Sequence, residues 1–578
     1  MDASFFQAPV AVPKLSGFDK SFQNLYTAKV GTLVPALCDE LMPGSIVDLD
    51  MAASVSLPPL ASDTFMRCSL KVEAFFVPMR LCYGGFEHWF VQDEFTTLVD
   101  NSSSSTVRNR FLPCFSFGAV NGDSSDPSVP ADLSAVFGAG SLSDYLGFKA
   151  GKMDAVNIVA GSSSASMRFS LMPFIAYHKI WSDWYRSSLI QSDCFAPVGY
   201  VNSWYGTHYS PASAPYESAA GPIVNDTIGS FVSGSDLDMT DFSNSAFSLA
   251  DGVCVFALRQ RNFGYDFFST ATPSPQNGPV ARVSTAVSGD PSNSFTISQL
   301  RSMNSLQQWR ERSNLTGDRY VDRLYGQYGC RPSDGIAQRV LCVGSADIEV
   351  YNKGVYTNTT GGSSPFAQSP FTGQLANRGG SAYGTSDGAI NLCHGFKATE
   401  PGYLFVITSL VPRVTYATGL DYKLVRYTVD GSIGEMPNPI LQNVGPEPIY
   451  TNELTEAVFD TSRVFGYTDR YGRFKNKFDE LHGLVREGES LESFAHQRYL
   501  DTSNINLQIS SEFLEIPTNF MDNVTAVAGE ISQYGCWVDS YFRYRVSMPL
   551  AKYSLPSLQD PAYEHGKTIF VRRGGFRF

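Results

Sequence analysis

Four kinds of side chain in this 578-residue sequence could do chemistry: histidines, thiols, paired carboxylates and a basic, aromatic C-terminus. The histidines are His88, His178, His208, His394, His482, His496 and His565. They form no HExxH string and no Cys/His pair at zinc spacing, so no metal ligand set is expected. His394 adjoins Cys393, but sequence neighbours in a polar loop make a poor chelate. His178 stands among aromatics and is expected to be a hydrogen-bonded core or interface histidine. Ten cysteines are scattered without a CxxC pair. Cys68, Cys254 and Cys342 lie in apolar or alternating segments, where a free buried thiol is expected. Gly566-Lys567-Thr568 has the ending of a phosphate loop, yet the position needing its first glycine holds Pro561, and the cradle cannot form. There is no GxSxG elbow. Acidic residues number 56, and nothing in their spacing singles out a carboxylate pair for glycoside hydrolysis. No catalytic residue, cofactor or metal is therefore assigned.

The tail at 557–578 is the one basic cluster. Lys567, Arg572, Arg573 and Arg577 are interleaved with Phe570, Phe576 and Phe578. Guanidinium groups pair with phosphates and aromatic rings stack on unpaired bases, so these four cations are the candidate nucleic-acid contacts. A solvated tail, or one that buries its phenylalanines on a neighbour, has the same composition. The whole chain carries a net charge of −13. A protein that grips nucleic acid by itself shows a basic face. Phosphate neutralisation is therefore expected from a local basic segment or from a partner.

Only 17% of residues are charged while 13% are aromatic, and Gly, Pro and Ser are frequent, which predicts a β-rich, loop-rich chain. Low charge also suits surface buried against other subunits. No secretory signal is read at the N-terminus, and no run reaches the roughly 18 apolar residues of a membrane span. A reducing cytoplasm is expected, with no disulfide framework.

Along the chain, residues 1–28 have no period and read as an extended arm. Pro43-Gly44 is a turn leading to a strand in which Val47, Leu49 and Met51 alternate with Asp48 and Asp50. Cys68 to Phe76 keeps a strict two-residue period, ended at Val77-Pro78. Pro173–Arg186 places Phe174, Tyr177, Trp181, Trp184 and Tyr185 on one helical face, which predicts core packing. Gly252–Leu258 is a continuous apolar run, expected as a strand buried on both faces. Phe263–Pro279, FGYDFFSTATPSPQNGP, is aromatic in front and rich in turn residues behind. Its prolines exclude a helix or a central strand. It reads as a surface loop or as an ordered, aromatic-anchored arm. Thr296–Trp309 predicts a helix opened by a Thr296/Gln299 capping box. GYLFVITSLVP, ending at Pro412, is an apolar strand. Phe542, Tyr544, Val546 and Met548 alternate with Arg543 and Arg545 in a last strand. Three tracts, 101–165, 201–250 and 352–399, are polar, rich in small residues and without period, and read as insertions. The second has no Lys or Arg, and long loops of that kind tend to be functional or disordered.

The stretch at 263–279 resembles a signature of the major capsid proteins of microviruses, small single-stranded DNA phages, especially the gokushovirus-like branch. Other blocks resemble motifs of the same family. They include Pro35, Asp39, Glu40, Pro43 and Gly44; Phe75, Phe76, Val77, Pro78, Arg80 and Leu81; and Ser143–Phe148. The aromatic helix resembles another motif, with Ile175 and Ser182-Asp183 as departures. The longest match holds Gly317, Arg319, Tyr320, Tyr328, Gly329, Asp334, Gln338, Arg339 and Gly344, departing at Val340. Arg413–Leu420 and Phe465–Tyr467 with Arg470 and Tyr471 complete the series. The blocks run in family order from about Lys29 to about Pro556, and this collinearity is specific where each block alone is modest.

The resemblance implies one mainly β domain over 1–578: an eight-stranded antiparallel jelly-roll with long inter-strand insertions and a few short helices. It implies a structural protein assembling into a T=1 icosahedral shell around circular single-stranded DNA. It also implies partners: further copies of the chain, a small basic DNA-binding protein, a scaffolding protein, a pilot or minor capsid protein, and a host receptor met through outer loops. Residues 201–250 are the expected surface protrusion. Assembly is expected in the bacterial cytoplasm and final residence in the virion. The alternative is a secreted β-sandwich that binds or degrades polysaccharide, against which stand the missing signal and disulfides. A fibre or spike would need repeats or heptads, and none is found.

Overall fold

A computed structural model describes residues 15–58, 68–83, 138–148, 170–194, 255–276, 297–316, 338–350, 390–425, 446–455, 463–500, 507–525 and 535–550, with isolated positions and short strand backbones between them. Most of the expected insertions 101–165, 201–250 and 352–399 lies outside these residues, as do Cys254 and the Thr296 cap.

The strands are β1 (Gln7–Ala11), β2 (Ser16–Asp19), β3 (Phe22–Ala28), β4 (Val34–Leu41), β5 (Ile46–Ser56), β6 (Cys68–Pro78), β7 (Leu341–Val350), β8 (Ile390–Lys397), β9 (Gly402–Pro412), β10 (Glu447–Tyr450), β11 (Val464–Thr468), β12 (Cys536–Met548) and β13 (Thr568–Arg572). One sheet has the order β7-β6-β9-β4 and the other β8-β5-β12-β2, with β3 also on β12. β3 pairs with the first half of β12 and β2 with its end, so both sheets are four strands wide. All pairs within them are antiparallel. Successive strands mostly alternate between sheets, which is the winding of a jelly roll.

Side-chain alternation explains the layers. Leu70, Val72 and Ala74 of β6 and Leu404 and Val406 of β9 point inward, to meet Val47, Leu49 and Met51 of β5 and Phe542, Tyr544 and Val546 of β12. Phe75 and Val77 of β6 and Tyr403, Phe405 and Ile407 of β9 point the other way, into a second cluster. β9 is therefore buried along its whole length, as its apolar run, broken only by Thr408 and Ser409, requires. The second cluster is roofed by helix α2 (Met172–Ile180). Before it lies the one-turn helix α1 (Leu142–Tyr145), capped by the Ser141 hydroxyl. The long helix α3 (Ile297–Thr316) follows later, outrunning the predicted end at Trp309. Its Leu300, Leu306 and Trp309 are exposed, so these three do not join the core.

Four expectations change in detail. Residues 16–28 are extended, as read for the arm, but they are strands β2 and β3 of the second sheet. The aromatic helix widens after Ile180 into a π-turn, in which the Arg186 N–H donates to Trp181 O at 3.0 Å, five residues back. Gly252–Leu258 is not a strand where it is described; 255–257 is a turn. Side chains of α2 replace a ladder there: His178 bonds the Val255 carbonyl at 2.7 Å, and the Arg259 N–H donates to the Tyr177 hydroxyl at 2.9 Å. Finally, the tract 352–399 ends in strand β8, whose pairing with β5 carries two register shifts that hide its two-residue period.

Candidate functional site

The signature stretch is positioned by backbone zipping on both sides. The Leu33 N–H donates to Arg259 O at 3.0 Å and the Arg261 N–H to Gly31 O at 2.7 Å. On the other side the Ile516 N–H donates to Arg261 O at 2.9 Å and the Phe263 N–H to Leu514 O at 2.9 Å. Gly31 makes this possible. Its φ is +73°, and a Cβ there would lie 2.5 Å from the Ile516 Cβ. Arg261 reaches under the first sheet to Glu73 of β6, with Nη1 at 2.7 Å and Nη2 at 3.0 Å from the two carboxylate oxygens. The Tyr185 hydroxyl donates to the same carboxylate. Burial, and then the Glu73 charge, push the Tyr185 phenol well up, so it stays a donor.

Beyond Phe263 the chain turns. Asp266 Oδ1 accepts the N–H groups of Phe268 and Ser269 at 3.0 and 2.6 Å. Asp266 Oδ2 accepts the Tyr416 hydroxyl at 2.7 Å. Phe267 and Phe268 are thereby driven into a third apolar cluster with Tyr416, Phe465 and Phe513. Tyr265 is left 95% exposed at the tip. The stretch is thus the ordered, aromatic-anchored arm of the two readings, with one helical turn at 266–270, where the Thr270 N–H donates to Asp266 O at 3.1 Å. Asp266 is fully used as an acceptor. Burial and that carboxylate hold the Tyr416 phenol well above its ordinary range. The pair is a clamp, with no free base beside a nucleophile.

The tip overhangs the end of the sandwich where β6 begins and β7 and β9 end. There a groove of about 630 Å³ is lined by Cys68, Glu349, Pro412, Tyr265 and Phe478, among others. Arg413 and Asp479 pair across its rim. Charged side chains, Glu349, Lys477 and Asp479 among them, share its walls with the strand ends.

Two histidines are locked in the supporting structure. His178 Nδ1 accepts from Arg259 Nε at 2.9 Å, and Nε2 donates to Val255 O. Burial, then the Arg259 charge, hold its pKa well below the ordinary value. This is the satisfied core histidine expected. His496 donates to Arg413 O at 2.7 Å, and burial lowers its pKa too. The unfolded chain binds protons at these sites near pH 6.5, whereas the folded chain does not until lower pH. Their contribution is therefore complete above about pH 6.5 and is lost below it, by up to about 1.4 kcal/mol per pH unit per histidine. The denaturation midpoint is expected to fall as pH drops from 7.5 to 5.5, and His496→Gln to flatten that fall. An equal slope in the variant would reject the role of His496.

Of the tail candidates, Arg572 is the last residue of β13, whose backbone pairs with β1 opposite Gln7. Lys567, Arg573 and Arg577 lie outside the described residues. The four are not brought to the signature loop by any described contact. His394 Nδ1 lies 3.4 Å from Asp48 Oδ1, and no group of three metal-ligating side chains converges among the described residues. All the described cysteines are free, Cys68 and Cys342 among them, the latter only partly buried. Burial pushes the Cys536 thiol up to about 12. No described helix is long and apolar enough to cross a membrane. Two polar networks had no sequence signal, because their members lie beyond any helical or strand period: Arg261 with Glu73, and Arg473 with Glu447 and Glu453.

A sequence model of the family described as Capsid protein (F protein) matches residues 8–558. The chain belongs to that capsid family. It is 24% identical to Capsid protein VP1 of Chlamydia phage 1, over 97% of this chain and 98% of the relative. It is 23% identical to Capsid protein VP1 of Bdellovibrio phage phiMH2K, over 96% and 97%. It is 21% identical to Capsid protein VP1 of Spiroplasma virus 4, over 92% and 93%. The resemblance to microvirus major capsid proteins is thus supported along the whole chain. This capsid protein is structural and not an enzyme, and the virion is its place. In that light the jelly roll is the rigid body of a shell subunit, and the signature loop is a clamped corner that fixes where the end groove opens.

Proposed function

We propose that copies of this capsid protein close into a T=1 icosahedral shell around a circular single-stranded DNA genome. The observation that carries the reading is the family match over 8–558 on a jelly roll whose strands span both ends of the chain. A rigid body with clamped loops can present the same patches from every copy, which closed symmetry requires. The net charge of −13 supports a small basic DNA-binding partner. A scaffolding protein, a pilot component and a host receptor are the other partners of this reading, with assembly in the bacterial cytoplasm. Residues 201–250 form the outer protrusion that meets the receptor. Lys567, Arg572, Arg573 and Arg577 face the interior and contact DNA.

The test is sedimentation of particles from the native source, with and without nuclease. A large uniform particle holding nuclease-protected single-stranded DNA is expected. A monomer or small oligomer free of nucleic acid would overturn the reading. Replacing Arg572, Arg573 and Arg577 with Gln is expected to lower packaged DNA or particle yield. Intact particles with unchanged genome content would remove the tail from the DNA-contact set.

A further inference from the structure

The first and last strands make a ribbon of their own. β1 and β13 pair antiparallel from Gln7 opposite Arg572 to Ala11 opposite Thr568, and neither pairs with another described strand. A strand forms only where a partner takes up its backbone groups, so among the described residues β1 is the element that orders β13. Val10 stands opposite Ile569 and Ala8 opposite Val571, and cross-strand pairs of apolar, β-branched residues stabilise such a ladder. The basic segment is built around this strand. Lys567 directly precedes β13, Arg572 ends it and Arg573 follows it.

Covalent reach shows what β1 adds. β12 ends at Met548, and the chain from there to Thr568 could extend about 70 Å. On the other side, the chain from Ala11 to Ser16 spans at most about 18 Å. Ser16 lies opposite Met548 at the end of the second sheet. Pairing with Ala11 therefore keeps Thr568 near that end, where its own linker would let it range far more widely.

We propose that β1 is a positioning element: the N-terminal arm holds the C-terminal basic segment in a fixed place, so that Lys567, Arg572 and Arg573 meet single-stranded DNA already ordered. The inference rests on the DNA-contact reading of the tail above and deepens it. A segment ordered beforehand loses less chain entropy on binding. A tail released from β1 keeps the same phosphate contacts but must be ordered first. Its affinity falls while the number of counterions it displaces stays the same, which separates positioning from contact.

The test uses the full chain and a fluorescein-labelled short oligothymidylate, with affinity read at several salt concentrations. Ala8→Asn with Val10→Asn weakens the ladder without changing charge. Affinity is expected to fall about tenfold with an unchanged salt slope, since ordering even one or two residues at binding costs about that factor. Ala8→Val with Val10→Ile should bind like the parent. Replacing Arg572, Arg573 and Arg577 with Gln should instead make the salt slope shallower by about 2. Amide hydrogen exchange without DNA should find 568–572 protected in the parent and unprotected in the asparagine pair. The denaturation midpoint should not move, because β1 belongs to neither sheet of the sandwich. Unchanged affinity or unchanged exchange in the asparagine pair overturns the proposal, as does a midpoint that falls together with the affinity. If the arginine variant has the shallower slope while the asparagine pair binds like the parent, the tail contact stands and the positioning role alone fails. If the arginine variant keeps the parent's affinity and slope, the tail is no DNA contact and both fall.

Discussion

Replacing Arg473 with methionine is expected to cost about 3–5 kcal/mol of stability, because it strands two buried carboxylates. The Arg473 side chain is 2% exposed, between Glu447 at 13% and Glu453 at 6%. Its Nη1 lies 2.5 Å from Glu447, its Nε lies 3.0 Å from Glu453, and its Nη2 donates to Pro448 O at 2.7 Å. The carboxylates in turn hold backbone: Glu447 accepts from the Tyr471 N–H at 2.8 Å and Glu453 from the Tyr450 N–H at 2.9 Å. The network therefore ties β10 to the segment after β11, next to the cluster that grips Phe267 and Phe268. Denaturant titration of the purified chain, followed by tryptophan fluorescence, reads the loss as a lower midpoint. Neutralising all three (Arg473→Met, Glu447→Gln, Glu453→Gln) should recover much of it, since no charge is then left buried. A single variant that melts like the parent would show that the carboxylates find water or another cation.

Phe542→Ala is the second large loss, again about 3–5 kcal/mol. Phe542 is fully buried in the middle of β12, and its ring stacks on Phe22 at 5.0 Å between centroids. β12 is bonded to β5 on one side and to β2 and β3 on the other, so a cavity there loosens the centre of the second sheet. Phe542→Leu keeps most of the volume and should cost under about 1.5 kcal/mol. Equal midpoints for the alanine and leucine variants would show that the strand collapses into the space. In particles the same variant should reduce yield before it alters the DNA content of those that form, because it acts on subunit folding.

Some elements were legible because one local rule decides them. The two-residue period of Cys68–Phe76 and of Phe542–Val546 forces one buried face, and both are sandwich strands. The apolar run at 402–412, interrupted only by Thr408 and Ser409, has no polar face to expose and is central. The aromatic spacing of 174–185 put α2 on the core, although the π-turn at its end was not in the pattern, since it depends on where Trp184 and Tyr185 find partners. Trp184 Nε1 donates to Val340 O at 2.9 Å, far away in sequence.

Other elements needed the folded chain. Ile390–Lys397 reads as the tail of a polar tract, and only pairing with β5 makes it a strand. Gly252–Leu258 reads as a strand, and only the side chains of α2 make part of it a turn. The basic tail was visible as composition, while the exposure of alternate residues along β12 was not, because alternation says which residues share a face and not which face is buried. By itself the sequence determined the family, the β-rich class, the two best strands and the aromatic roof, since these follow from local periodicity and ordered motifs. Tertiary structure alone decided the long-range ion pairs, the clamp on Asp266 and the exposed face. The ion pairs and the clamp join groups from 20 to 188 residues apart, and local patterns carry no record of that.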